Sequence, residues 1–150
     1  EVFMNKLVLF FIMLTLILTF SCKKGEEKFD FNGKWSWDSS DKYFSIDLFH
    51  NLDTGEITGF HSGGTNDGLR IDDVSLETGA NFPSINGVVE NNIAKVSITS
   101  GYSDAEASVR ISVNKDKTLN WKIQKMYREG EHYIPYDVNL VKLDSSSDNK

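Results

Sequence analysis

The chain has 150 residues, with 16 basic and 22 acidic side chains and a formal net charge of -6. Hydrophobic residues make up 39% and aromatic residues 12%, which is typical of a globular protein and excludes a disordered chain. A single cysteine excludes an internal disulfide framework, and the negative charge argues against a nucleic-acid partner.

The first predicted element is a signal helix within residues 1–21. Residues 7–20 carry no charge and follow Lys6. This run is shorter than the roughly 20 residues that a membrane-spanning helix needs, and it is typical of a secretory signal with a positive start. Met4 is the expected start of translation, which would make the residues before it an upstream extension.

The lone cysteine follows this run directly. The stretch Leu-Thr-Phe-Ser-Cys at residues 18–22 resembles the lipobox of bacterial lipoproteins, in which a small residue precedes the cysteine that is acylated. The resemblance implies that Cys22 carries fatty acids such as palmitate and anchors the chain to a membrane of the cell envelope. Several acyl chains anchor a protein stably without any spanning segment. The alternatives are an ordinary signal peptide and an N-terminal membrane anchor with an incidental cysteine.

A short polar linker is predicted next, so that residues 22–28 form the lipidated N-terminus and its spacer. Residues 23–28 are all charged or glycine and can bury nothing. Glu26 and Glu27 resemble the export signal of surface-exposed lipoproteins, which implies the outer membrane as the location. A plain polar linker is the equally weighted alternative.

Residues 29–143 are predicted to form one all-β domain. Hydrophobic residues alternate with polar ones at period two, which is typical of antiparallel strands with one buried face. The clearest runs are residues 44–48, 94–98, 107–113, 119–123 and 136–140. Short turn sequences such as Asn91-Asn92 favour hairpins. We therefore expect about 8–10 strands in an up-and-down meander that closes into a barrel or a two-sheet sandwich, followed by a disordered tail at 144–150.

Two short motifs resemble known barrels. Asn32-Gly33-Lys34-Trp35 is similar to the Gly-x-Trp start of lipocalin-like and avidin-like proteins, in which the tryptophan plugs one barrel end. The stretch at residues 55–59 resembles a strand turn of avidin-like proteins, although the later tryptophans of their ligand pocket are missing except Trp121. The stretch Arg-Ile-Asp at 70–72 adds a resemblance to small bacterial lipoproteins. These resemblances imply a fold and no chemistry.

The sequence predicts neither a metal site nor a cofactor. His50, His61 and His132 are far apart, and the acidic stretches 53–56 and 67–73 lack the spacing of a calcium loop. These acidic residues are more simply solvated turn residues.

Enzymatic activity is not expected either. The sequence has no Gly-x-Ser-x-Gly nucleophile elbow, and Gly63-Gly64 lacks the lysine of a phosphate-binding loop. Glu129 and Glu131 flank Gly130, and a solvated hairpin tip explains them better than a pair of catalytic carboxylates.

The remaining candidates are binding residues. Phe60, His61, Arg70, Asp72 and Tyr102 could line one mouth of a closed barrel, with local packing as the alternative explanation. We expect a non-catalytic binding module for a protein partner, in an inhibitor or immunity-type role. The alternative is a carrier that holds a small ligand inside the barrel, which requires an internal cavity.

Overall fold

The computed structural model describes residues 28–143, and every regular element within them is a β-strand. In chain order the strands are β1 (Gly33–Asp38), β2 (Lys42–His50), β3 (Glu56–Thr65), β4 (Ile71–Val74), β5 (Ile85–Glu90), β6 (Ile93–Thr99), β7 (Glu106–Val113), β8 (Leu119–Arg128) and β9 (Asp137–Lys142). None of the described residues belongs to a helix that is long and apolar enough to cross a bilayer.

Eight of these strands form a closed antiparallel barrel. The hydrogen-bonded order is β2-β1-β9-β8-β7-β6-β5-β3-β4, and the further pairing of β2 with β3 closes the ring. β4 is the extra strand, because it pairs with β3 at residues 61–64 while β5 pairs with β3 at residues 56–59. The connection after β3 therefore departs from a simple meander.

The barrel has one short seam. β1 pairs with β9 at only two positions, Trp35 with Lys142 and Ser36 with Val141. A backbone hydrogen bond of 2.9 Å from Leu143 to Lys34 extends this contact. By contrast, β2 and β3 are in register over nine residue pairs.

Alternating side chains fill the interior. Phe44, Ile57, Ile111, Trp121 and Leu140 are each completely buried. They belong to one continuous hydrophobic cluster to which all the barrel strands contribute. Close packing of this kind accounts for most of the stability of a small barrel, because each fully buried large apolar side chain contributes about 1.5–3 kcal/mol.

The end of the barrel where the described chain begins, here called the base, is plugged by aromatic side chains. Trp35 is buried, and its indole Nε1–H donates to the carbonyl of Phe31 over 3.0 Å. Phe29 packs edge-on against Phe31, with ring centroids 5.1 Å apart. The base also holds the β2–β3 turn, since Lys28 donates to the carbonyl of Leu52.

The opposite end is covered by residues 129–136, here called the capping segment, which connect β8 to β9. Ile134 in this segment is buried in the core cluster. The indole of Trp121 donates to the Pro135 carbonyl over 3.0 Å, and the Tyr133 carbonyl lies against Gly63, where a Cβ would come within 3.0 Å of its oxygen. This end is therefore closed by backbone as well as by side chains.

The structure confirms the all-β antiparallel barrel and excludes the two-sheet sandwich. The predicted hairpin at Asn91-Asn92 is present, and both residues have the positive φ angles of a tight turn, 51° and 58°. The alternation at residues 136–140 predicted that Tyr136 faces the core, but Tyr136 precedes β9 and is 62% exposed. Its ring packs against His132 in the capping segment, with ring centroids 5.6 Å apart. The predicted signal helix, lipidation site and C-terminal tail lie outside the described residues.

Candidate functional site

Four polar side chains are buried together beneath the capping segment. His61 lies on β3, Asp72 on β4, Ser84 directly before β5 and Ser100 directly after β6. All four are buried, and Asp72 is fully inaccessible to solvent. A buried polar group is costly unless it is hydrogen-bonded, so their partners decide whether this arrangement is stable.

His61 bridges two of these side chains. Its Nε2 lies 3.1 Å from Asp72 Oδ1 and its Nδ1 lies 2.7 Å from Ser84 Oγ. A carboxylate can only accept, so Nε2 carries the hydrogen of that contact. In the neutral imidazole, Nδ1 then accepts the hydroxyl hydrogen of Ser84. The three residues form one chain of hydrogen bonds that links β3, β4 and the start of β5.

Asp72 is the centre of the network. Besides His61, its carboxylate accepts hydrogen bonds from the Ser100 hydroxyl at 2.7 Å, the Gly101 amide at 2.8 Å and the Tyr133 amide at 3.3 Å. Burial alone would raise the pKa of Asp72, but the hydrogen bonds from His61 and Ser100 outweigh it and lower the pKa to about 2. The carboxylate is therefore ionised, and it ties the capping segment to the barrel.

A charged and aromatic rim lies above this network. Arg70 donates to the Glu131 carboxylate at 2.9 Å and to the Tyr133 hydroxyl at 3.2 Å. The Tyr133 hydroxyl in turn donates to Glu131 at 2.8 Å. The ring of Tyr102 packs edge-on against Tyr133, with centroids 5.3 Å apart. We call Arg70, Tyr102, Glu131 and Tyr133 the rim.

The rim side chains are ordered by their mutual contacts and are also exposed to solvent. Tyr102 is 49% exposed, and the side chains of Arg70 and Glu131 are 59% and 57% exposed. Burial and the hydrogen bond to Glu131 raise the pKa of Tyr133, so its hydroxyl stays protonated and keeps donating. The rim side chains are thus held in place by one another while their outer surfaces remain exposed to solvent.

The structure brings four of the five predicted binding residues together. His61 and Asp72 touch directly inside the barrel, and Arg70 and Tyr102 meet through Tyr133 at the rim. Phe60 does not join them. Because it neighbours the inward-facing His61 on β3, it points to the outer face, where its ring packs against Phe49 with centroids 6.2 Å apart. Cys22 lies outside the described residues.

Ser84, His61 and Asp72 are connected in the order of a nucleophile, a base and an orienting acid. Such a triad needs its serine to reach a substrate carbonyl, with donors placed to stabilise the oxyanion. Ser84 is only 7% exposed and points into the filled interior. Asp72 is held by donors from the capping segment and the β6–β7 connection as well as by His61. What this geometry supports is a brace that fixes the rim.

Several members of this site have no signal in the sequence. Ser84 and Ser100 are single serines at strand ends, and nothing in their neighbourhood distinguishes them from turn residues. Tyr133 and Glu131 lie in a connection whose path across the barrel end depends on closure of the sheet. Arg70 and Asp72 were named as candidate binding residues, but nothing in the sequence indicated that Asp72 is buried while Arg70 is exposed.

The described residues contain no group of three or more His, Cys, Asp or Glu arranged to hold a metal ion. No protein-family model, curated protein or solved structure matches this chain.

Proposed function

We propose that this protein is a lipid-anchored component of the bacterial cell envelope that binds a protein partner through the rim. The observation that carries the proposal is an ordered, exposed cluster of two tyrosines, an arginine and a glutamate on a barrel whose interior is filled. Tyrosine and arginine are the residue types that most often dominate the binding energy of protein interfaces.

The placement of the rim supports this proposal. Lys28 and Phe29, the first described residues, contact the base of the barrel at Leu52 and Asn92. The rim lies at the opposite end, with the capping segment. A chain attached to a membrane through Cys22 would thus present its rim away from the lipid surface, where a partner can reach it.

The small-ligand carrier is less well supported. A carrier needs an internal cavity of roughly 300–1,000 Å³ with an opening. Here Trp35 and Phe31 fill the base, and Ile134 and the backbone of the capping segment fill the other end. A ligand could enter only if the capping segment separated from Asp72 and Trp121, which would break hydrogen bonds of 3.3 and 3.0 Å.

The anchor is tested with one variant. We expect Cys22→Ala to abolish metabolic labelling with palmitate and to release the chain from the membrane fraction. Cys22 is the only cysteine in the sequence, so the label has no other thiol to modify. Labelling that persists in this variant would refute lipidation at Cys22.

The rim is tested by placing a photo-crosslinking amino acid at position 102 of the full chain in living cells, with position 127 as the matched control. Tyr127 is similarly exposed, at 59%, but lies on β8 outside the rim. The partner protein that becomes crosslinked is then purified, and its affinity for the chain is measured. We expect Tyr102→Ala to weaken binding roughly tenfold or more, as for a hot-spot residue, and Tyr127→Ala to leave it unchanged. Equal effects of both variants would refute the rim as the interface. A small molecule that copurifies from inside the barrel would instead favour the carrier.

A further inference from the structure

A groove of about 290 Å³ runs across the outer face of the barrel, away from the rim residues. Outward-facing side chains of β2, β3 and β4 line it, among them Asp47, Ser62 and Asp73. Apolar side chains line it as well, and include Phe60, Leu76 and Leu143. Leu76 and Leu143 are about half exposed, at 57% and 49%. The groove therefore combines acidic and apolar side chains.

The two aspartates in this groove are unusual because neither accepts a hydrogen bond from any described residue. Oδ1 of Asp73 is shielded from solvent and still has no donor. Asp47 is partly buried, and this burial raises its pKa in spite of the nearby charge of Lys34. Most buried polar atoms in folded proteins are paired, so an unpaired, shielded carboxylate oxygen requires an explanation.

Among the described residues that line the groove, Lys34 is the one lysine or arginine. Its Nζ lies 3.4 Å from Glu77 Oε1 in the β4–β5 connection, and its charge also acts on Asp47. The described lining therefore carries three carboxylates, those of Asp47, Asp73 and Glu77, against one lysine, and its net charge is negative. Negative charge between apolar walls attracts positive groups more strongly than the same charge in open solvent does.

The shape of the groove indicates what kind of cation would fit. The register pairs Asp47 with Phe60 and Asp73 with Ser62, so the aspartates lie two strands apart with β3 between them. Strands are spaced about 4.8 Å apart, which puts their Cα atoms roughly 10–12 Å from each other. Two carboxylates at that distance cannot both coordinate a small metal ion. They can, however, attract an elongated group that carries its charge at the end of an apolar stem.

We propose that this groove binds a lysine or arginine side chain of a protein partner, with its charged end at Asp73 and its methylene stem over Phe60 and Leu76. Both side chains combine a flexible apolar stem with a terminal cation, which matches a groove lined by both apolar and acidic side chains. The terminal cation offsets the negative charge of Asp73, whose shielded Oδ1 receives no hydrogen bond from the described residues. This inference rests on the proposed protein-binding function, and it defines a second contact outside the rim.

The test uses the full chain in a neutral detergent and three short capped peptides, Ala-Lys-Ala, Ala-Arg-Ala and Ala-norleucine-Ala. Norleucine keeps the apolar stem and lacks the charge. Titration is followed by NMR chemical shifts of the amides on β2, β3 and β4. We expect saturable shifts with the lysine or arginine peptide and weak or no shifts with norleucine.

Three variants complete the test. Asp73→Asn should weaken binding of the cationic peptide by roughly tenfold, as expected for loss of one charge-assisted hydrogen bond, and Asp47→Asn should weaken it less. Asp53→Asn is the matched control, because Asp53 is an exposed turn residue outside the groove and loses the same charge. Unchanged affinity in Asp73→Asn, or equal affinity for norleucine, would overturn the inference. Absence of a crosslinked partner at position 102 would instead count against the rim as the interface. The peptide titration tests the groove by itself, so the rim proposal and the groove proposal fail separately.

Discussion

Replacing Asp72 with asparagine tests whether the buried network holds the rim in place. The substitution keeps the shape of the side chain but turns one acceptor oxygen into an NH₂ group. One oxygen of Asp72 accepts from His61 and the Gly101 amide, and the other accepts from Ser100 and the Tyr133 amide. Whichever way the new amide is oriented, its NH₂ faces a backbone N–H that can only donate.

The cost follows from these contacts. An unpaired buried donor costs about 1–3 kcal/mol, and the loss of the carboxylate charge weakens the remaining hydrogen bonds further. We expect Asp72→Asn to lower the free energy of unfolding by about 3 kcal/mol. With an m-value of about 1.5 kcal/mol per M for a domain of this size, the urea midpoint falls by about 2 M.

The assay is urea unfolding followed by tryptophan fluorescence, because the buried indoles of Trp35 and Trp121 report on both ends of the barrel. Asp53→Asn is the control, and it should change the midpoint little. A second readout is amide exchange at Tyr133, which should speed up in the Asp72 variant even under native conditions. A loss below about 1 kcal/mol, with unchanged exchange at Tyr133, would refute the idea that Asp72 holds the capping segment.

Three further predictions follow from particular contacts. The folded-state pKa of Asp72, about 2, lies below its ordinary 3.8, so the stabilisation by its ionised carboxylate is present above pH 4 and is lost as the pH falls towards 2. In urea melts over that pH range, the free energy of unfolding of the wild type should fall by about 2 kcal/mol more than that of Asp72→Asn. Trp35→Phe removes the 3.0 Å indole hydrogen bond and leaves a cavity, so it should lower the free energy of unfolding by about 2 kcal/mol. Trp37→Phe, at a partly exposed site, should lower it by less than about 1 kcal/mol, and equal losses would contradict the plug at the base. Gly87→Ala places a Cβ against the Lys95 carbonyl oxygen, closer than van der Waals contact allows, and should destabilise the β5–β6 hairpin by about 2 kcal/mol. A thermal midpoint equal to that of the wild type would contradict this.

Most of the fold could be predicted from the sequence, because strand alternation and turn preferences depend on residues that are close together in the chain. Alternation at residues 94–98 and 107–113 places every second side chain in the core, and the structure buries Ala94, Val96 and Ile98 as well as Val109 and Ile111. Asn91 and Asn92 favour the tight β5–β6 turn because asparagine tolerates the positive φ angles that both residues adopt. The need of a long antiparallel sheet to cover its edges predicted a closed barrel or a two-sheet sandwich, and the sequence did not decide between them.

The site could be predicted only in part, because its contacts depend on closure. Arg70 and Glu131 are separated by 61 positions, and they meet only because the capping segment crosses the end of the barrel. Phe60 and His61 were both expected to line the barrel mouth, but neighbouring residues on a strand point to opposite faces. Periodicity assigns faces within one strand, and it says nothing about which connections meet above the barrel.

The short β1–β9 seam also determines how the molecule can open. Two register pairs hold β1 to β9, and the nine pairs between β2 and β3 make that boundary far more resistant. Partial opening of a protein begins where few hydrogen bonds and contacts have to be broken. Amides of β1 and β9 should therefore exchange before those of β2 and β3. An opened barrel is a curved sheet with two free edges, and free edges pair readily with other strands. This seam is thus the place where strand exchange or aggregation would begin.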